Sequence, residues 1–193
     1  MNWLAHLFLS EPTAAFRIGN LLPDLVPAAG LRELPTEFLR GAECHRRIDA
    51  FTDSHPVVRR SVARLVAPHR RFGGVLIDLF YDHFLAVGWG NYSEVTLEQF
   101  TRSVYQDFEA NRHELPPVVT ETLQKMRNAD WLCSYREIAN LRLALNRIGS
   151  RLRKPQALGE SVVELERNYE ALREDFAEFF PELRAYVEKA SVE

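Results

Sequence analysis

Two short segments hold the residue types that do metal and acid–base chemistry. They are Cys44-His45-Arg46-Arg47-Ile48-Asp49-Ala50-Phe51-Thr52-Asp53 and Leu76-Ile77-Asp78-Leu79-Phe80-Tyr81-Asp82-His83-Phe84-Leu85. In the second, Asp78, Asp82 and His83 interrupt a run that is otherwise apolar. A helix apolar on every side is buried all round, and an ionised carboxylate inside a protein is costly unless it is paired or metal-bound. One way to satisfy the two aspartates is pairing with arginines such as Arg46 and Arg47. A buried Arg–Asp pair, however, seldom gains stability over an apolar pair of similar volume, so a cation is the favoured reading. In the first segment His45 and Asp49 stand at i, i+4 on one helix face, in a stripe with Ala42 and Thr52. That pair fits either an ordinary helix-surface hydrogen bond or convergence on the same kind of ion.

The donor set is carboxylate and imidazole without sulfur, which suits Mn²⁺, Mg²⁺ or Fe²⁺, as one or two ions, better than structural zinc. Such ions supply a hydroxide nucleophile near neutral pH and neutralise charge on a phosphoryl group. Arg46 and Arg47 adjoin the candidate ligands, and an arginine fork matches phosphate oxygens. Metal with arginine points to phosphoester hydrolysis rather than peptide or amide chemistry. The chain has no GxSxG, Walker A or HExxH motif. His6, alone in the apolar Trp3-Leu4-Ala5-His6-Leu7-Phe8-Leu9, reads as a satisfied core histidine. Asp24, after Gly19-Asn20-Leu21-Leu22-Pro23, reads as a surface-turn carboxylate.

The elements that must position these residues are helices. No period-2 run of β-branched residues and no Asn-Gly or Asp-Gly turn is present. Prolines and glycines divide the chain. A first helix is expected over Asn2 to Leu9, then short helical turns from Ala14 to Leu34, and a helix from Thr36 to Asp53. Pro56 suits the first position of a helix ending near Pro68, and a further helix spans Phe72 or Gly74 to Val87, stopped by Gly88. Later helices are expected over Thr96 to His113, Pro117 to Leu132, Ser134 to Ile148 and Gln156 to Phe180, with an interruption at Pro181. The fold class is therefore all-α: one domain, residues 1–193, a bundle of about seven to nine helices.

Charge is unevenly spread along the 193 residues, whose net charge is -3. From Arg40 to Arg71 there are eight arginines against Glu43, Asp49 and Asp53, and from Arg136 to Lys154 six basic residues against Glu137. The last third is acidic. Arg59, Arg60, Arg64, Arg70 and Arg71 form one basic strip, and Arg142, Arg147, Arg151, Arg153 and Lys154 a second. Each is either a solvated face or a docking surface for a polyanion. Nucleic-acid motifs are missing, and an acidic protein fits the charges equally. Cys44 and Cys133 form no CxxC pair, consistent with a reducing cytoplasm. The chain start lacks the basic and long apolar regions of a signal peptide, and no stretch of about 20 apolar residues is present. A cytoplasmic location is expected, without membrane or nucleic-acid association.

With these residues in view, the chain resembles the acyl carrier protein phosphodiesterases. The pieces that carry the resemblance are Asn2-Trp3-Leu4-Ala5-His6-Leu7, Gly19-Asn20-Leu21-Leu22-Pro23-Asp24, His45-Arg46-Arg47-Ile48-Asp49 with Thr52-Asp53, and Asp82-His83-Phe84-Leu85. They cover roughly the first 90 residues. The second half matches diffusely, around Trp131 to Arg136. The resemblance implies an all-α, HD-domain-like fold and a metal centre, usually Mn²⁺, in which adjacent Asp82 and His83 behave like the His-Asp doublet of HD-type phosphohydrolases. It implies cleavage of the phosphodiester joining 4'-phosphopantetheine to a serine of acyl carrier protein, an acidic partner for the arginines. It also raises His6 and Asp24 to candidate ligands beside His45, Asp78, Asp82 and His83, with Arg46, Arg47 and Asp49 as candidate catalytic groups. Two other classes stay open. One is a phosphohydrolase for a nucleotide or other small phosphoester. The other is a non-catalytic helical adaptor for an acidic partner.

Overall fold

The computed structural model describes residues 1–31, 34–152 and 154–190, so Arg153 of the second basic strip lies outside the described residues. Among the described residues there are helices and no strands. In chain order they are α1 (Trp3–Phe8), α2 (Ala14–Gly19), α3 (Leu22–Leu25), α4 (Ala28–Leu31), α5 (Thr36–Ser54), α6 (Pro56–Arg64), α7 (Gly73–Val87), α8 (Leu97–Ala110), α9 (Pro117–Asn128), α10 (Trp131–Ser134), α11 (Ile138–Arg151), α12 (Val162–Arg167) and α13 (Tyr169–Ala190). The all-α expectation holds, and so do the expected limits of α1, α5 and α7 to within a residue or two.

Helix α7 is the axis of the fold. It packs against α1, α6, α11 and α13, and Leu76, Ile77, Leu79, Phe80, Tyr81 and Leu85 are fully buried. Each such side chain contributes about 1.5–3 kcal/mol relative to exposure, which explains why so apolar a helix sits in the middle. Polar groups taken in with it are all answered. Tyr81 Oη and Ser61 Oγ share a hydrogen bond of 2.8 Å, and Ser61 donates to Asp175 Oδ2 on α13 at 2.7 Å. Arg60 and Arg64 on α6 complete that knot through Asp175, at 2.8 Å each.

Several expected boundaries move, among them that of the helix expected over Gln156 to Phe180, which starts at Val162 and breaks at Asn168 between α12 and α13. The helix expected from Pro117 to Leu132 breaks because Asp130 adopts left-handed backbone, φ 41°, a conformation that aspartate tolerates better than most residues. Its carboxylate accepts a hydrogen bond from Tyr105 Oη at 3.0 Å. The next helix starts at Ile138 rather than Ser134, because the break has already given Trp131–Ser134 a turn of its own. Pro181 does not interrupt α13, which runs through it. An interior proline costs about 3 kcal/mol, but Phe179, Phe180 and Leu183 on either side are fully buried, and their burial outweighs that cost.

The contact that matters most for the site is between α2 and α5. A Cβ on Gly19 would lie 2.2 Å from the Phe38 carbonyl oxygen, and one on Gly41 would lie 2.2 Å from the Phe16 carbonyl oxygen. Only glycine at both positions lets the two backbones touch. The contact brings Asn20, the residue that ends α2, against His45, one turn beyond Gly41.

Asp82 has a task in this framework. It is fully buried, and its carboxylate accepts hydrogen bonds from the Leu4 amide (2.8 Å), the Ala5 amide (3.0 Å) and Asn2 Nδ2 (3.0 Å). It thus satisfies the free amides at the start of α1. Burial, opposed by these hydrogen bonds, pushes its carboxyl up to about 7. Replacing Asp82 with Ala strands two buried donors, at about 1–3 kcal/mol each, and is expected to lower the urea midpoint accordingly. Gly41→Ala is expected to destabilise the fold and to displace Asn20. Equilibrium unfolding together with the His6 and His45 imidazole NMR resonances measures both effects.

Candidate metal centre

His6 on α1 and His45 on α5 stack with centroids 4.0 Å apart and planes 14° from parallel. One residue, Asn20, orients both. His45 Nδ1 donates to the Asn20 backbone carbonyl at 2.7 Å, and His6 Nδ1 lies 3.0 Å from Asn20 Oδ1. The Asn20 amide nitrogen donates to the His6 carbonyl and to Ser10 Oγ, both at 2.9 Å. Its Oδ1 is therefore the acceptor, and His6 Nδ1 carries a proton. With both Nδ1 atoms so used, both Nε2 atoms turn to oxygens. His6 Nε2 faces Asp49 Oδ1 at 3.1 Å and the Met1 carbonyl at 3.0 Å, and His45 Nε2 faces Asp49 Oδ2 at 3.1 Å and Asp24 Oδ1 at 3.6 Å.

Every ring nitrogen in the pair thus meets an acceptor. Either both rings are imidazolium, or Nε2 lends its lone pair to a cation. Two imidazolium rings stacked 4.0 Å apart repel one another in a buried setting. Burial and the neighbouring His45 charge keep His6 below the usual histidine range, only partly offset by its Asp49 hydrogen bond. For His45, burial is outweighed by the Asp49 hydrogen bond and the Asp24 charge, so it is raised. Asp49 pays the same desolvation, but hydrogen bonds from His45 and His6 and the Met1 ammonium hold its carboxyl well below the usual range.

One divalent cation at His6, His45 and Asp49 would resolve the conflict. Their donor atoms lie within 4.8 Å of one another, and imidazoles whose Nδ1–H groups are anchored on carbonyl oxygens are the usual outer-shell arrangement of metal-binding histidines. The Met1 ammonium marks the same preference for positive charge. It is buried and lies 3.1 Å from both Asp49 Oδ1 and Asp78 Oδ1.

The remaining sequence candidates divide. Asp24 and Asp78 stand on the wall of the cavity that Asp49 lines, and Trp3 Nε1 donates to Asp24 Oδ2 at 2.8 Å. Asp82 and His83 are not brought to the cluster. Asp82 caps α1, while His83 donates from Nδ1 to the Tyr135 carbonyl at 2.8 Å and meets Tyr169 Oη at 3.1 Å. Adjacent residues project about 100° apart on a helix, and around α7 that angle separates two different neighbours instead of converging on one ion. Arg46 and Arg47 also point away, since helix geometry turns them from the His45 face. Both pair with Glu43 on the exposed side of α5.

Of the first basic strip, Arg60 and Arg64 are committed to Asp175, because the buried carboxylate there needs them. Arg59, Arg70 and Arg71 are exposed, and Arg71 reaches Gln156 at 3.0 Å. Sequence reasoning missed Asn20 as the residue that orients both imidazoles, although it stands inside a motif already singled out. It also missed Trp3 and Trp131, whose apolar context reads as core, and the cavity position of Arg147 and Arg151, which needed the tertiary fold.

The cavity holds about 280 Å³ and runs from Asp24, Asp49 and Asp78 to Trp131, Arg147 and Arg151. Residues 1–183 match the sequence profile of the family described as acyl carrier protein phosphodiesterase. This chain belongs to that family. It is 32% identical over 184 residues to the acyl carrier protein phosphodiesterase of Enterobacter sp. (strain 638), covering 95% of each chain. It is 30% identical over 193 residues to the one from Escherichia coli (strain K12 / DH10B), covering 100% of both. No solved structure matches the chain. No helix among the described residues of this family member is long and apolar enough to cross a membrane.

Titration with Mn²⁺ is expected to show binding that His6→Ala or Asp49→Ala weakens at least about tenfold and that Asp82→Asn leaves largely intact. Because ligands must shed protons to bind and His45 holds its proton above the ordinary imidazole value of about 6.5, affinity should already fall as pH drops toward 6.5. Isothermal titration at stepped pH measures both.

Proposed function

We propose that this chain is a divalent-cation-dependent phosphodiesterase that hydrolyses the bond between 4'-phosphopantetheine and the serine of acyl carrier protein, giving the apo carrier. The observation that carries this reading is the stacked His6–His45 pair with both Nε2 atoms turned on Asp49, in a chain whose relatives are named for that substrate. His6, His45 and Asp49 would hold the ion, Mn²⁺ by the chemistry of the donor set. When bound, such an ion neutralises charge on a phosphoryl group and lowers the pKa of water.

The chain's own residues do the rest. Asn20 keeps the two imidazoles in the tautomer that leaves Nε2 available. Asp24, fixed by Trp3, and Asp78 keep carboxylate oxygens on the cavity wall, placed to orient the attacking water or to complete a second ion's coordination. The bond broken joins phosphorus to the serine oxygen, which leaves with the carrier protein. Docking of the acidic carrier is supported by Arg71 and Lys154. They line a groove that shares Leu152 with the cavity, so the basic groove lies at the cavity's flank.

The test is mass spectrometry of holo acyl carrier protein incubated with the enzyme and Mn²⁺, and again with chelator. Loss of the phosphopantetheine mass only with metal supports the reading. An unchanged carrier with Mn²⁺ present overturns it and leaves generic phosphodiesters as the next substrates to try. Asn20→Ala is expected to reduce turnover by about 10–100-fold, the usual cost of losing a group that orients metal-binding residues.

A further inference from the structure

Four side chains of the cavity lining touch one another in turn, and Trp3 links them to Asp24 at 2.8 Å. Arg147 Cζ lies 4.3 Å from the Trp131 ring centroid, Trp131 stacks on Trp3 at 6.0 Å and 22°, and Arg151 Cζ lies 5.9 Å from the Trp3 ring. Arg147 and Arg151 are i, i+4 neighbours on α11, so their guanidinium groups face the same way. Many arginines of the fold are paired, among them Arg60 and Arg64 with Asp175, Arg136 with Glu98, Arg142 with Glu160 and Arg167 with Glu164, while Arg59, Arg70 and Arg71 lie exposed and away from the cavity lining. Among the described residues, Arg147 and Arg151 contact indole faces and have no carboxylate in ion-pair range. Burial, together with the neighbouring Arg151 charge, lowers the Arg147 guanidinium. Cation–π contact positions a guanidinium while leaving its N–H edge free.

We propose that Arg147 and Arg151 form the anion-holding wall of the cavity and grip the phosphate of the substrate's phosphopantetheine, with the indoles of Trp131 and Trp3 holding the guanidinium groups in place. The inference rests on the function proposed above and adds where the substrate lies. The phosphodiester's non-bridging oxygens sit between the His6–His45–Asp49 cluster and the two guanidinium groups. The apolar surface of Val75, Ile148 and Leu152 in the same cavity takes the chain that extends from the phosphate. This assigns to α11 the charge-stabilising role that sequence adjacency had given to Arg46 and Arg47.

The probes are 4'-phosphopantetheine and phosphate-free pantetheine, titrated against intrinsic tryptophan fluorescence in chelator, because Trp3 and Trp131 report on the cavity directly. 4'-Phosphopantetheine is expected to bind saturably, and Arg147→Met or Arg151→Met to weaken it about tenfold to a hundredfold each, as for loss of a hydrogen bond to a charged group. Arg147→Lys should fall between, and pantetheine affinity should be insensitive to all three. With holo carrier protein as substrate, the same variants should raise KM more than they lower kcat for Arg151, the more exposed of the two. Arg151→Met alters an exposed side chain, so its folding, checked by circular dichroism, keeps the test valid if Arg147→Met fails to fold.

Unchanged 4'-phosphopantetheine affinity in folded Arg151→Met and Arg147→Lys would overturn the proposal, whatever the wild-type turnover. Arginine-dependent binding without hydrolysis of the carrier would leave the anion site standing and remove the reaction.

Discussion

Close approach of α2 and α5 is the constraint on which the centre depends. Gly19 and Gly41 each leave no room for a Cβ against a carbonyl of the other helix. Asn20 is thereby pressed between two histidines that stand 39 residues apart in sequence. One asparagine then sets both imidazoles, its backbone carbonyl taking one Nδ1–H and its side chain the other. Steric permission at two glycines becomes, through a single polar residue, the tautomeric state of two rings. That state is what leaves both Nε2 atoms facing a carboxylate and makes a cation the natural resolution of the site.

The first helix owes its position to a different buried group. Asp82, deep in α7, accepts the first amides of α1, and so sets where His6 emerges. An acidic residue at a helix start is favoured by the helix dipole, and here it comes from another element, tying α1 to the axis of the fold. The same logic governs Asp175, which collects Arg60, Arg64 and Ser61. Buried carboxylates in this protein are consistently answered by donors. Asp24 and Asp78, partly open to the cavity, have fewer fixed donors, and Asp49 is held by the two imidazoles and the Met1 ammonium while still lining that cavity.

The cavity lining carries charge of both signs. Asp24, Asp49 and Asp78 line it, and so do Arg147 and Arg151, which have no acidic partner among the described residues. Such an arrangement suits a substrate whose phosphate bridges a cation and a guanidinium pair. The left-handed Asp130 contributes by ending α9 early. It starts a separate turn at Trp131, whose ring becomes the platform for Arg147. A continuous helix through this region, which the sequence pattern favours, would have carried Trp131 elsewhere.

Much of this was legible in the residues alone. The all-α class, the buried axis of α7 and the shared face of His45 and Asp49 follow from local rules of periodicity and spacing, which operate within one helix. The family motifs also marked His6 and Asp24, which spacing alone left as ordinary. What spacing could not do was say which neighbour each side chain meets. Asp82 and His83, adjacent and both polar in an apolar run, diverge to α1 and to Tyr135 because a buried helix has different partners on each side. Arg46 and Arg47 lie beside His45 in sequence but around the helix from it, while Arg147 and Arg151, about 100 residues away, line the same cavity as Asp49. Sequence by itself determined the helices and the donor chemistry, since both are properties of short segments. Only tertiary packing decided which donors converge, because convergence depends on how close two backbones can come.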